Sequence, residues 1–184
     1  MKKHHLLAVA AINAARNIDC HSKRHILHEY EILVLRTCGD GGKSHSGFRW
    51  PLTPGALVDA SDWRADDNCG HGLHGLPWGV GGNYCDVSAP HWLVLRVDTR
   101  TDYRHGAGDM TDKCKFARCT VDAVFSNSHE ATAHIYQYAP AGAVINYITL
   151  TGGDRSTITG GYGATLTGGY GSTLVGGDRS KLKG

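Results

Sequence analysis

The chain has 184 residues, 41% of them hydrophobic and 20% charged, with a formal net charge of +2. This is a globular composition for about one domain; no apolar run is long enough for a spanning helix, and the weak charge gives no electrostatic case for nucleic acid. Glycine is unevenly spread, with 11 of the 25 in the last 34 residues, a stretch that lacks cysteine, histidine and tryptophan. Two compositionally different modules therefore share the chain.

Residues 1–15 open on a basic Lys-Lys-His-His and continue through a short leucine- and alanine-rich run interrupted by Asn13. They read either as an alanine-rich helix ending near Asn17 or Asp19, or as a secretory signal cleaved after Ala15. The helix is preferred, which puts the chain in the cytoplasm; the signal would make it secreted. The six cysteines (Cys20, Cys38, Cys69, Cys85, Cys114, Cys119) then read as free thiols or metal ligands rather than three disulfides.

Glu31–Thr37 and Trp92–Asp98 are aliphatic runs that predict buried strands. Lys115–Val121 alternates as a third, and Val144–Leu150 is a fourth. Asn127 followed by Glu130 predicts a helix N-cap, with the helix running through Ala131–Tyr138 and stopping before Pro140. The expectation is an α+β fold: an N-terminal helical segment over residues 1–28, a mixed domain over 29–142, and a repeat tail over 143–184.

Cys69-Gly-His-Gly-Leu-His-Gly75 is the most unusual local sequence. Cys69, His71, His74 and Cys85 offer sulfur and nitrogen ligands that zinc accepts, with Cys114 and Cys119 as substitutes. No Cys-x2-Cys or paired histidine spacing supports such a site, so ordinary turn or core residues are the plainer reading. His4, His5, His21, His25 and His28 gather near Lys23 and Arg24 as a solvated face. No nucleophile elbow, phosphate loop, zinc-protease motif or dinucleotide fingerprint occurs.

Ser46-Gly-Phe-Arg-Trp-Pro51 with Gly55, then Cys69-Gly-His-Gly-Leu-His74, then Gly108-Asp-Met-Thr-Asp-Lys-Cys-Lys115 form an ordered set. Over roughly residues 30–125 this set resembles a domain of unknown function found in phage and prophage proteins. Phe48 and Trp50 stand where that family carries its aromatics, and Leu73 where many members carry phenylalanine. The resemblance implies a phage origin and no established reaction.

From Thr151 the chain divides into four gapless octads, each carrying one aliphatic residue: Ile158, Leu166, Leu174 and Leu182. Their Gly-Tyr-Gly-Ser-Thr and Gly-Asp-Arg-Ser-Lys-Leu segments resemble the repeats of bacterial ice-nucleation proteins. That resemblance implies a β-solenoid with two octads per coil, in which Asp154 stacks below Tyr170 and Tyr162 below Asp178. In that family arginine-bearing coils mediate self-association, which implicates Asp154, Arg155, Tyr162, Tyr170, Asp178 and Arg179. Two coils are too few to template ice and need a cap or a partner.

These features together suggest a phage-encoded, non-enzymatic interaction protein that binds a host or phage protein and self-associates through its tail into a homo-oligomer. Phe48, Trp50, Trp63 and Trp78 are the candidate contact residues. No cofactor, membrane or nucleic acid is expected in this reading. An alternative is an ADP-ribosyltransferase-like enzyme acting on NAD, with His74 orienting ribose, Tyr84 stacking the nicotinamide ring and Glu130 as the late glutamate. A zinc-stabilised binding domain is the third reading.

Overall fold

A computed structural model describes residues 27–184 of the chain. The expected N-terminal helix or signal, with Cys20 and the histidines before residue 27, lies outside the described residues. Seven strands form one antiparallel sheet: β1 (Glu31–Cys38), β2 (Leu57–Asp59), β3 (Leu73–Pro77), β4 (His91–Asp98), β5 (Tyr103–Arg104), β6 (Cys114–Phe116) and β7 (Arg118–Phe125), in the order β2-β7-β4-β1-β3-β6-β5. The two aliphatic runs lie side by side at its centre, paired from Glu31↔Asp98 to Cys38↔His91. The expected third strand is two, β6 and β7. The break falls at Ala117, whose N–H turns away to donate to Asp102.

Both faces of the sheet are covered, so β1 and β4 read as continuous apolar runs rather than alternating ones. One face packs Val34, Leu93, Leu95 and Val97 with Trp50, Val58, Phe116 and Val121. The other packs Leu33, Leu35, Trp92 and Val94 under the helix α1 (Ser128–Tyr136), through Ala131 and Ile135. The Asn127 side chain caps that helix, accepting from Glu130 N at 3.0 Å. After the helix come β8 (Thr149–Thr151), β9 (Thr157–Gly160), β10 (Thr165–Thr167), β11 (Thr173–Gly176) and β12 (Lys181–Lys183). The expected strand over 144–150 is thus reduced to its last residues.

The expected α+β fold with a short two-coil β-solenoid is corrected here. The described chain is mostly β, with one nine-residue α-helix among the described residues and an antiparallel sheet as its body. The repeats pair in parallel as a three-stranded sheet, β12-β10-β8, and a two-stranded one, β11-β9. They do not form a module with a core of its own. Tyr147, Ile148, Ile158, Ala164 and Leu166 belong to the same cluster as Leu33, Leu35 and Trp92. Burial of the octad aliphatic residues falls with distance from the domain: Leu166 is wholly buried, Leu174 is half-buried, and Leu182 is 52% exposed. Four octads have too little apolar surface to exclude water alone, so the domain supplies the other half of their core.

Candidate functional site

A cavity of about 950 Å³ opens where the C-terminal end of β1 meets β3. Its wall is built by two close approaches. Gly75 lets β3 lie against β1, because a Cβ there would meet Val34 and the Leu35 carbonyl. Gly42, at φ +77°, brings the Asp40–Gly42 turn onto the Trp50 backbone. Arg36, on the same strand face as Val34 and Cys38, projects at this end.

The Arg36 guanidinium is the main polar feature of the cavity. Its Nη1 donates to the His74 carbonyl at 2.6 Å, and its carbon lies 4.8 Å from the centre of the Trp50 ring. Its Nε is buried without a hydrogen-bond partner, and burial pulls its pKa below the ordinary value. His74 also lines the cavity, with a buried and unpartnered Nε2. Burial first, then the charges of Lys113, Arg36 and Lys115, push its pKa down to about 4, so the imidazole is neutral at pH 7. Lys113 Nζ lies 3.0 Å from Cys69 Sγ and 4.8 Å from the centre of the Tyr84 ring. Tyr84 in turn donates its hydroxyl to Asp112 at 3.0 Å.

The other candidate residues are dispersed. Cys69, His74 and Cys85 line the cavity, whereas His71 faces Asp62 at 3.8 Å. Among the described residues no three histidine, cysteine, aspartate or glutamate side chains are grouped to hold a metal. Burial pushes the Cys85 thiol up to about 12, which opposes thiolate ligation. The five described cysteines are free. His74 and Tyr84 share the cavity, but Glu130 sits in the first turn of α1, outside its lining. Trp50 is buried, at 3% exposure, and so belongs to the core rather than to a contact surface. Phe48 is exposed and meets it edge-on at 5.3 Å. Trp63 packs near Lys115, and the backbone N–H of Trp78, a residue at φ +55°, donates to the Leu33 carbonyl.

In the repeats, Asp154 Oδ1 accepts from Tyr170 N at 2.8 Å, across the 16-residue spacing of the paired strands. Asn146 does the same one step earlier, accepting from Tyr162 N at 3.0 Å. The Gly163 N–H donates to the Asp178 carbonyl, and Arg179 lies over the Tyr162 ring at 5.7 Å. The roles of Arg36, Lys113 and Asn146 were not anticipated from sequence. The one available signal was a charge, Arg36, closing an otherwise apolar strand.

The fold and site thus define a small antiparallel-sheet domain with a cationic cavity and a parallel repeat array docked on its core. The repeats are ice-nucleation-like. The chain is 32% identical over 77 residues to ice nucleation protein InaU of Pantoea ananas, covering 39% of this chain and 7% of that protein. It is 36% identical over 67 residues to an ice nucleation protein of Pseudomonas syringae, covering 35% of this chain and 6% of that one. A Xanthomonas campestris pv. translucens ice nucleation protein is 33% identical over 69 residues, covering 36% and 4%. The chain therefore spans less than a tenth of the length of these relatives. No protein-family description matches it, and no solved structure does. No helix among the described residues is long and apolar enough to cross a membrane.

Proposed function

We propose that this is a non-enzymatic interaction protein whose sheet domain binds a protein partner and whose repeats bring copies together. The observation that carries the reading is the outer face of the repeats. Tyr170 is 83% exposed, Val175 and Leu182 are about half exposed, and β11 and β12 each pair on one side only. Unpaired strand edges beside exposed apolar side chains favour pairing with another chain. A second copy offers the same edge, and an isologous contact closes as a dimer. The motif resemblance over residues 30–125 favours a phage-encoded protein, for which a host or phage factor is the natural partner.

Removing the tail is a poor test, because Ile158, Ala164 and Leu166 would leave the core of the domain. The test is light scattering of the full chain beside a Val175→Lys, Leu182→Lys variant. The wild type is expected to be an oligomer and the variant a folded monomer. A monomeric wild type, or a variant with unchanged mass, would overturn self-association.

A further inference from the structure

We propose that the cavity at the meeting of β1 and β3 binds the anionic group of a small phosphorylated molecule, with the half-buried Arg36 in one wall and Lys113 in its more open one. The inference does not depend on self-association. It rests first on a charge without a counter-charge. Guanidinium stays protonated at physiological pH, and a cation drawn partly out of water gains from an anion that pairs with it and completes its hydrogen bonds. Arg36 has a hydrogen bond to a carbonyl, an aromatic face and an unpartnered Nε, and among the described residues no carboxylate lies within ion-pair distance of it.

The carboxylates that line the cavity do not fill that role. Asp86 is exposed and accepts from both the N–H and the hydroxyl of Ser88, which ties it to its own loop. Asp40 is exposed on the outer turn. Lys113 and Lys43 add further positive charge on the cavity lining, and His74 experiences the field of Lys113 and Arg36. A neutral imidazole with an unpartnered Nε2 can then donate or accept without adding charge.

The remaining lining identifies the ligand class. Lys43 is a third cation on the lining, beside Arg36 and Lys113, whereas the Ser44 and Ser46 hydroxyls bond each other, Asn83 Nδ2 donates to Tyr162 and the Tyr84 hydroxyl donates to Asp112. Three cations match the nearly double negative charge of a phosphate monoester better than the single charge of a carboxylate. The volume accommodates an organic body as well as the anion, since pockets of roughly 300–1,000 Å³ hold drug-sized ligands.

The test uses the full chain, with inorganic pyrophosphate and adenosine monophosphate as probes. Calorimetry would be run at matched ionic strength, alongside tryptophan fluorescence, because Trp50 lies against Arg36. Both Lys113→Met and Arg36→Met are expected to weaken binding at least about tenfold, the loss for one charged hydrogen bond. Arg100→Gln, a change in a surface pair with Asp98, should leave it unchanged. If Arg36→Met fails to fold, Lys113→Met on the open wall decides. No saturable binding of either probe to the wild type would overturn the proposal. Binding that Lys113→Met leaves at wild-type strength would overturn it equally.

Discussion

Lys115 Nζ lies 2.6 Å from Asp66 Oδ1, and the lysine side chain is wholly buried. The ammonium also donates to the Asn68 carbonyl at 3.0 Å and faces the Trp63 ring at 5.5 Å. One lysine on β6 therefore fastens the long segment between β2 and β3, which contributes no regular structure of its own there. Lys115→Ala should destabilise the protein by about 2–4 kcal/mol, as deletion of a large buried side chain does. Lys115→Met should recover part of that by refilling the space. Equilibrium urea unfolding of the two variants checks the order; equal stabilities would show that volume does not matter at this position.

Asp122 on β7 receives hydrogen bonds from both Arg96 on β4 and His134 on α1, the latter at 2.8 Å. Burial alone would raise its pKa. The hydrogen bonds from His134 and Arg96 outweigh it and hold the carboxyl below its ordinary range. A folded pKa below the unfolded one adds stability that is fully present above the unfolded value, about 3.9, and is lost as pH falls through the folded value. Stability should therefore decline on acidification below about pH 4. Asp122→Asn should cost about 1–3 kcal/mol at neutral pH and flatten that acid dependence. Denaturant midpoints measured from neutral to acidic pH would show whether the wild type and variant converge.

Leu166 is wholly buried in the cluster that holds Leu35 and Trp92. Leu166→Ala should therefore cost about 2–5 kcal/mol of the stability of the whole protein, with a single unfolding transition. Hydrogen exchange of the β10 amides should slow and quicken together with those of β1. An early, separate melting of the repeats would contradict a shared core.

Asn146 is buried and joins the two parts of the molecule: its amide donates to the Gly81 carbonyl at 3.0 Å while its Oδ1 accepts from Tyr162 N. Asn146→Ala leaves both partners unmatched and should cost about 2–3 kcal/mol. Asp154→Ala, which breaks the equivalent but exposed contact with Tyr170, should cost well under half as much. Thermal unfolding of both variants decides whether burial sets the difference.

The sequence by itself determined the elements that local chemistry specifies. The aliphatic runs at 31–37 and 92–98 became the central strand pair, because such runs can only be buried. Asn127 capped its helix because an N-cap is a contact across three residues. The 8-residue period likewise marked one aliphatic residue in each octad. Only the tertiary structure decided what they face. Ile158, Leu166 and the half-buried Leu174 share a cluster with Leu33, Leu35 and Trp92, residues far away in the chain that no period reveals, while Leu182 stays half exposed. The cavity is of the same kind. Arg36, His74 and Lys113 are scattered along the chain and acquire a shared electrostatic field only where β1, β3 and the segment before β6 converge. Desolvation and charge–charge coupling depend on distance in space, and pairing across the sheet sets those distances.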